Sequence, residues 1–186
     1  MAKLIAFNNL SLDGFFADAA GSLDWAHRDG AEMTDYVKKR GGAVGCHPFG
    51  RRTYQMFASF WPTPAGQASN PHFAQRLNDS PKVVFSRTLK TAAWQHSRVE
   101  PAADAKTLKK LKAGQGGDCM LFGSGELVRS LTAQGLIDEY QLLVNPVLLG
   151  AGKPLFNPLP KAVELRLIEA EAFKNGTVLL RYGAQK

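Results

Sequence analysis

The sequence predicts an α/β protein built on a mixed, mostly parallel central sheet with helices on both faces and a C-terminal antiparallel hairpin. Three observations carry this. The short, predominantly apolar runs Leu4–Phe7, Lys82–Phe85, Cys119–Phe122 and Tyr140–Val144 suit buried strands. Between them lie segments whose apolar residues recur at helical spacing. Near the end, Asn175-Gly176 separates two alternating runs, Val163-Leu165-Leu167 and Val178-Leu180-Tyr182, a strong hairpin signal.

In chain order, Leu4–Phe7, closed by Asn8 and Asn9, is the first and central strand. Thr34–Arg40 reads as the end of a helix with Met33 and Val37 on one face. Its last turn, Lys38-Lys39-Arg40, places cations at the carbonyl end, and Gly41-Gly42 stops it. Ala43-Val44 then opens a short strand leading to Phe49-Gly50. Tyr54, Phe57, Ala58 and Trp61 form one apolar stripe of a helix from Arg51 to Phe60, which Pro62 ends. These aromatics read as core. The segment from Pro62 to Pro81, rich in Pro, Ala, Ser and Asn, reads as a surface excursion. Beyond the strand Lys82–Phe85, Asp104 is placed to cap a lysine-bearing helix that ends before Gly114. After Cys119–Phe122, Ser124 sits at a cap position, Leu127, Val128 and Leu131 make a stripe, and Gly135 closes the helix.

The 186 residues and 45% hydrophobic content predict a single domain over residues 1–186. Two cysteines far apart in sequence, Cys46 and Cys119, fit a reduced, cytoplasmic protein better than a disulfide scaffold. The amino-terminal apolar run is too short for a signal peptide, and no stretch approaches the roughly 20 residues of a membrane helix. The net charge of +7 fits either a nucleic-acid partner or a small polyanion drawn into a basic cleft. Much of the excess is local, in the last helical turn around Lys38 and on the wet face of Lys106–Lys112. Cys46-His47 shows no ligand spacing with His27, His72 or His96, so no metal site is expected.

Three junctions attract the chemistry: Gly50-Arg51-Arg52-Thr53-Tyr54, Phe85-Ser86-Arg87-Thr88 and Leu121-Phe122-Gly123-Ser124-Gly125-Glu126. In each, a buried strand runs out into groups that hold anions: helix amino-terminal N–H groups, hydroxyls and guanidinium forks. In an open α/β sheet, ligands settle beyond the carboxyl ends of the strands, where all three junctions should meet. Several phosphates of one dinucleotide suit converging donors.

These junctions, with Ser11-Leu-Asp-Gly14, Asp138-Glu139 and Pro146 to Phe156, occur in an order that resembles the dihydrofolate reductase superfamily, nearest the reductase domain of riboflavin-biosynthesis proteins and its stand-alone members. The likeness runs from about Lys3 to Tyr182. It implies a dihydrofolate-reductase-like fold and an NADPH-dependent oxidoreductase acting on a small heteroaromatic or ribosylamino-pyrimidine substrate. By the same resemblance, Gly50, Arg51, Thr53, Ser86, Arg87, Gly123, Ser124 and Gly125 would bind the cofactor. Two departures stand out. Gly45-Cys-His-Pro48 interrupts the strand before Gly50, and the glycine turn reads Gly-Ser-Gly rather than carrying two adjacent glycines. There is no paired-cysteine zinc deaminase signature, so the chain corresponds to the reductase half.

Ser11–Gly14 reads either as a plain Asp-Gly turn at the strand end or, by the resemblance, as a loop over the nicotinamide and substrate, with Asp13 accepting a substrate hydrogen bond. The resemblance also implies a proton-donating carboxylate in the first helix region, for which Glu32 ranks ahead of Asp29 and Asp35. A homodimer is expected, since such relatives pair through late strands and Leu142–Leu149 is a long apolar run. A non-catalytic module binding a nucleotide or nucleic acid through its basic surface is the rival reading, although no nucleic-acid motif is recognisable.

Overall fold

The computed structural model describes residues 2–26, 44–114 and 116–185. The helix end expected at Thr34–Arg40 and the carboxylates Asp29, Glu32 and Asp35 lie outside the described residues.

Eight strands make one sheet: β1 (Leu4–Ser11), β3 (Val44–Gly50), β4 (Lys82–Phe85), β5 (Ser97–Glu100), β6 (Asp118–Phe122), β7 (Glu139–Asn145), β9 (Leu165–Ala172) and β10 (Val178–Ala184). Their order is β5-β4-β3-β6-β1-β7-β10-β9. The first six run parallel, while β10 is antiparallel to both β7 and β9. Two short strands, β2 (Phe15–Ala17) and β8 (Lys153–Pro154), pair beside the main sheet. The described helices are α1 (Arg51–Phe60), α2 (Pro64–Ser69), α3 (Pro71–Asp79), α4 (Ala105–Ala113) and α5 (Gly125–Ala133). The expected mixed sheet and terminal hairpin are both present.

Alternation along the strands divides the core between the two faces. Leu4, Ala6, Cys46, Val83, Cys119 and Leu121 point to one side and are covered by Leu108 and Leu111 of α4 and Val128 and Leu131 of α5. Phe49 and Val84 point to the other, where Tyr54 of α1, Leu77 of α3 and Trp94 close over them. Tyr54, Phe57 and Trp61 therefore belong to the core, as their spacing indicates.

The segment from Pro62 to Pro81 lies mostly at the surface, and it holds two helices that the sequence reading did not resolve. Thr63 accepts from Gly66 N and Asn70 from Phe73 N, and a proline stands at the start of each helix. Proline there needs no N–H partner, so residues that break a helix interior begin one here. The edge strand β5 also escaped sequence reading, because Ser-Arg-Val-Glu carries no apolar run. At the other edge, strand β9 begins at Leu165, and Leu167 is exposed rather than core-facing.

The irregularity around Gly45-Cys-His-Pro48 is absorbed within β3. Its pairing with β6 shifts between Val44 and Cys46, yet its pairing with β4 is regular from His47↔Lys82 to Gly50↔Phe85. The phosphate-turn candidate therefore keeps its position at the strand's carboxyl end.

Candidate functional site

Chain order reverses at the middle of the sheet. From β1 the chain moves outward to β3, β4 and β5, returns to β6, and then crosses to β7 on the far side of β1. The carboxyl ends of β6 and β1 therefore feed connections that diverge, the place where open α/β sheets form a ligand crevice. Pairing gives it depth, since β1 matches β6 only as far as Phe7↔Phe122 but follows β7 to Ser11↔Asn145.

The three sequence-selected junctions line up along this end of the sheet. Gly50 and Phe85 are register partners, so Arg51 and Ser86-Arg87 leave neighbouring strands side by side. Gly123 follows β6 on the other flank of β3. With neighbouring strands about 4.8 Å apart, the track from β4 through β3 and β6 to β1 spans about 14 Å.

The middle two junctions interlock. The Gly50 N–H donates to Ser124 Oγ at 3.0 Å, and the Ser124 N–H donates to Thr53 Oγ1 at 3.1 Å. Ser124 adopts the left-handed conformation, with φ 53° and ψ 49°, which turns its side chain away from its own helix and toward Gly50. The expected Ser124 cap is thus corrected: the residue stands at the cap position, but its oxygen serves the neighbouring turn. Gly123, at φ +54°, occupies the backbone region that favours glycine, and a Cβ there would meet Thr53. Gly125 packs directly beneath the Phe16 ring, leaving no space for a side chain.

Capping separates these helices from the others. Thr63, Asn70 and Asp104 each accept a backbone N–H at the start of α2, α3 and α4. Helices α1 and α5 have no side-chain cap. Both begin at the crevice, so their first-turn N–H groups and the positive ends of their dipoles converge there. Thr53 Oγ1 and Ser124 Oγ each accept an N–H, and a hydroxyl in that role still has its own proton to donate.

Beyond the turns, Ser86 Oγ accepts from Thr88 N at 3.2 Å and Leu89 N at 2.9 Å, fixing the loop that presents Arg87. The Arg87 side chain is exposed and makes no hydrogen bond or ion pair among the described residues. Arg51 is exposed at the first position of α1 and reaches only Gln55 Oε1, at 3.5 Å. Two guanidinium groups therefore flank the outer end of the track with their forks available.

At the inner end, Asp13 is engaged by the protein. Its carboxylate accepts the Ser11 hydroxyl at 2.6 Å, the Gly150 N–H at 2.7 Å and the Leu149 N–H at 3.1 Å. These bonds hold the carboxyl well below the usual carboxylate range, the Ser11 hydroxyl contributing most. They also tie the turn after β1 to the loop after β7, a link reinforced by Leu12 N to Val147 O. Sequence reading selected Asp13 but missed these partners, since nothing local connects it to Gly150.

Asn8, read from the sequence only as the close of an apolar run, also lies beside this end of the sheet. It lies on β1 just past the last β6 pair and donates Nδ2–H to the Gly123 carbonyl at 3.3 Å.

Fold and site together define an open-sheet α/β protein with an anion-receptive cleft at its topological switch point. Residues 2–179 match the family described as the RibD C-terminal domain, and the chain belongs to that family. It is 27% identical over 174 residues to the uncharacterized protein YyaP of Bacillus subtilis (strain 168), covering 93% of this chain and 90% of that protein. Among solved structures, it resembles a putative riboflavin biosynthesis protein from Shewanella sp. PV-4, with TM-score 0.76, 24% identity and 99% of both chains covered. It also resembles a Thermotoga maritima diaminohydroxyphosphoribosylaminopyrimidine deaminase/5-amino-6-(5-phosphoribosylamino)uracil reductase, with TM-score 0.68 and 13% identity, over 99% of this chain and 57% of that one. No helix among the described residues is long and apolar enough to cross a membrane.

Proposed function

We propose that this chain is an NADPH-dependent reductase that transfers a hydride to a small heteroaromatic substrate, of the ribosylamino-pyrimidine type used in riboflavin biosynthesis. The observation that carries this reading is the meeting of two uncapped helix starts, α1 and α5, through the Gly50–Ser124–Thr53 interlock. A pyrophosphate fits that point because it supplies the acceptors these N–H and O–H groups lack. The track fits a dinucleotide because it continues to Arg87 and Arg51 on one side and to the open edge of β1 on the other.

NADPH supplies the hydride; the protein supplies placement, exclusion of water and one proton. Gly50, Thr53, Gly123, Ser124 and Gly125 would hold the pyrophosphate, and Arg51, Ser86 and Arg87 the phosphate of the adenosine ribose. Asp13 shapes the inner end by holding two loops together, with carboxylate lone pairs remaining for a substrate donor. Glu32 is the proposed proton donor, with Asp29 and Asp35 as alternatives. The proposed setting is the cytoplasm.

The proposed assembly is a homodimer that pairs through its late strands. Within the Leu142–Leu149 run, Leu142 and Leu143 are buried in the cores on the two faces of the sheet, whereas Leu148 is exposed. Exposed apolar residues also lie on the edge strand β9, at Leu167 and Ile168. Light scattering at micromolar protein should give twice the chain mass.

The functional test is NADPH oxidation screened against pyrimidine, pterin and quinone acceptors. The expected result is turnover with an aminopyrimidine. Tight, steeply salt-dependent binding of duplex or single-stranded nucleic acid, with no oxidation of NADPH, would overturn the assignment in favour of a binding module.

A further inference from the structure

Three buried side-chain polar atoms among the described residues have no hydrogen-bond partner: Asn8 Oδ1, His47 Nε2 and Ser97 Oγ. His47 lies at the amino half of β3, packed against Phe49 and Phe122, and Ser97 starts the edge strand β5. Only Asn8 lies at the crevice. Its side chain is 2% exposed, and by alternation it shares the face of Ala6 and Leu10 beside the glycine turn. Its Nδ2–H is committed to the Gly123 carbonyl, which fixes the direction of the amide and identifies Oδ1 as the atom left over.

The fold treats its other buried β-strand asparagine differently. Asn145 donates to Asn9 Oδ1, Leu10 O and Leu143 O, and its own Oδ1 accepts from Thr177 Oγ1. That amide is satisfied from every side. A buried acceptor without a donor is rare and costly, and this one stands beside the glycine turn just past the last β1–β6 pair.

We propose that Asn8 is a specificity-determining residue of the cleft, whose Oδ1 accepts an N–H from the ring-bearing end of the bound molecule. This rests on the cofactor reading given above. The shared chemistry is an amide or amine N–H on a flat heterocycle, from two candidate sources: the carboxamide of the nicotinamide, or an amino group of the pyrimidine substrate. A ring carrying a carbonyl or methyl at that position would leave Oδ1 unpaired and bind less well.

The test titrates the full chain, as wild type, Asn8→Leu and Asn8→Asp, with four probes. They are NADPH, its 3-acetylpyridine counterpart, in which a methyl replaces the amide NH2, adenosine 2′,5′-bisphosphate, which lacks the ring end, and diaminouracil added to the NADPH complex. Wild type should prefer NADPH over the acetylpyridine counterpart about tenfold, the effect of one hydrogen bond to an otherwise unpaired group. Asn8→Leu should abolish that preference by weakening NADPH alone. Asn8→Asp, which keeps an acceptor, should retain it. If wild type lacks the preference but Asn8→Leu selectively loses diaminouracil, the donor is the substrate's and the proposal stands. Retained discrimination in both arms by Asn8→Leu, or equal weakening of all probes including the bisphosphate, overturns the role of Asn8 while leaving the cofactor reading intact. Failure of wild type to bind NADPH overturns both. Unliganded Asn8→Leu should melt no lower than wild type, so a large fall in Tm, marking a structural role, also counts against the proposal.

Discussion

His47 and Lys82 show how this chain handles polar groups inside an apolar shell. They are register partners on β3 and β4. Lys82 is fully buried, yet its ammonium donates to the carbonyls of Leu77, Asn78 and Ser80 at the end of α3 and lies 4.5 Å from the centre of the Trp94 ring. Burial pushes its pKa down to about 8, so it remains mainly protonated at neutral pH and serves as a cationic cap on α3. His47 has weaker support: Nδ1 lies 3.3 Å from the Met120 carbonyl and Nε2 has no partner. Burial, with the charges of Lys82 and Arg76, pushes its pKa from 6.5 down to about 4. Because the folded value is depressed, the unfolded chain takes up the proton first as pH falls. Stability is therefore full above about pH 6.5 and is lost progressively toward pH 4, on the order of 3 kcal/mol in all. Urea unfolding at pH 7 and pH 4.5 should show wild type losing about 2 kcal/mol more than His47→Gln over that interval. Equal losses would assign the acid sensitivity to other groups.

At the scale of elements, legibility followed how local the determining physics is. The strands Lys82–Phe85 and Tyr140–Val144 could be read because short, predominantly apolar runs need cover on both faces. Helix α4 could be read because Asp104 accepts from Thr107 N at 2.8 Å within its own first turn. Helices α2 and α3 were legible in principle, since Thr63-Pro64 and Asn70-Pro71 each place a cap before a first-turn proline, but their composition read only as a surface excursion. The site was only partly legible. Gly50, Thr53, Gly123 and Ser124 could be selected as anion-holding types, but their mutual hydrogen bonds join residues more than seventy positions apart. Pro48 adds to this contact's importance: it has no N–H for the ladder, and β3 pairs with β6 only through Val44 and Cys46 before Ser124 restores the link. Asn70→Ala should cost about 1 kcal/mol by removing the cap of α3, read as a lowered urea midpoint with unchanged slope. No change would mean that the Pro71 start and the burial of Ala74 and Leu77 suffice to hold the helix.

At the scale of the whole molecule, the sheet order places two functions at opposite ends of the strands. At the amino ends, buried Glu139 accepts from Lys3, Gln141 and Arg181, and Asp138 pairs with Lys112, so charge there is neutralised by structure. At the carboxyl ends, Arg51 and Arg87 are left exposed beside two uncapped helices. A cofactor with a phosphate on its adenosine ribose is the partner that this distribution of charge suits best. Titration of NADPH and NADH into wild type and Arg87→Ala, followed by tryptophan fluorescence or calorimetry, tests that claim most directly and needs no substrate. A charge-assisted hydrogen bond contributes about 2 kcal/mol, so the variant should bind NADPH about 30-fold more weakly while its affinity for NADH stays nearly constant. Wild type binding both cofactors equally, or the variant losing both in parallel, would contradict the account.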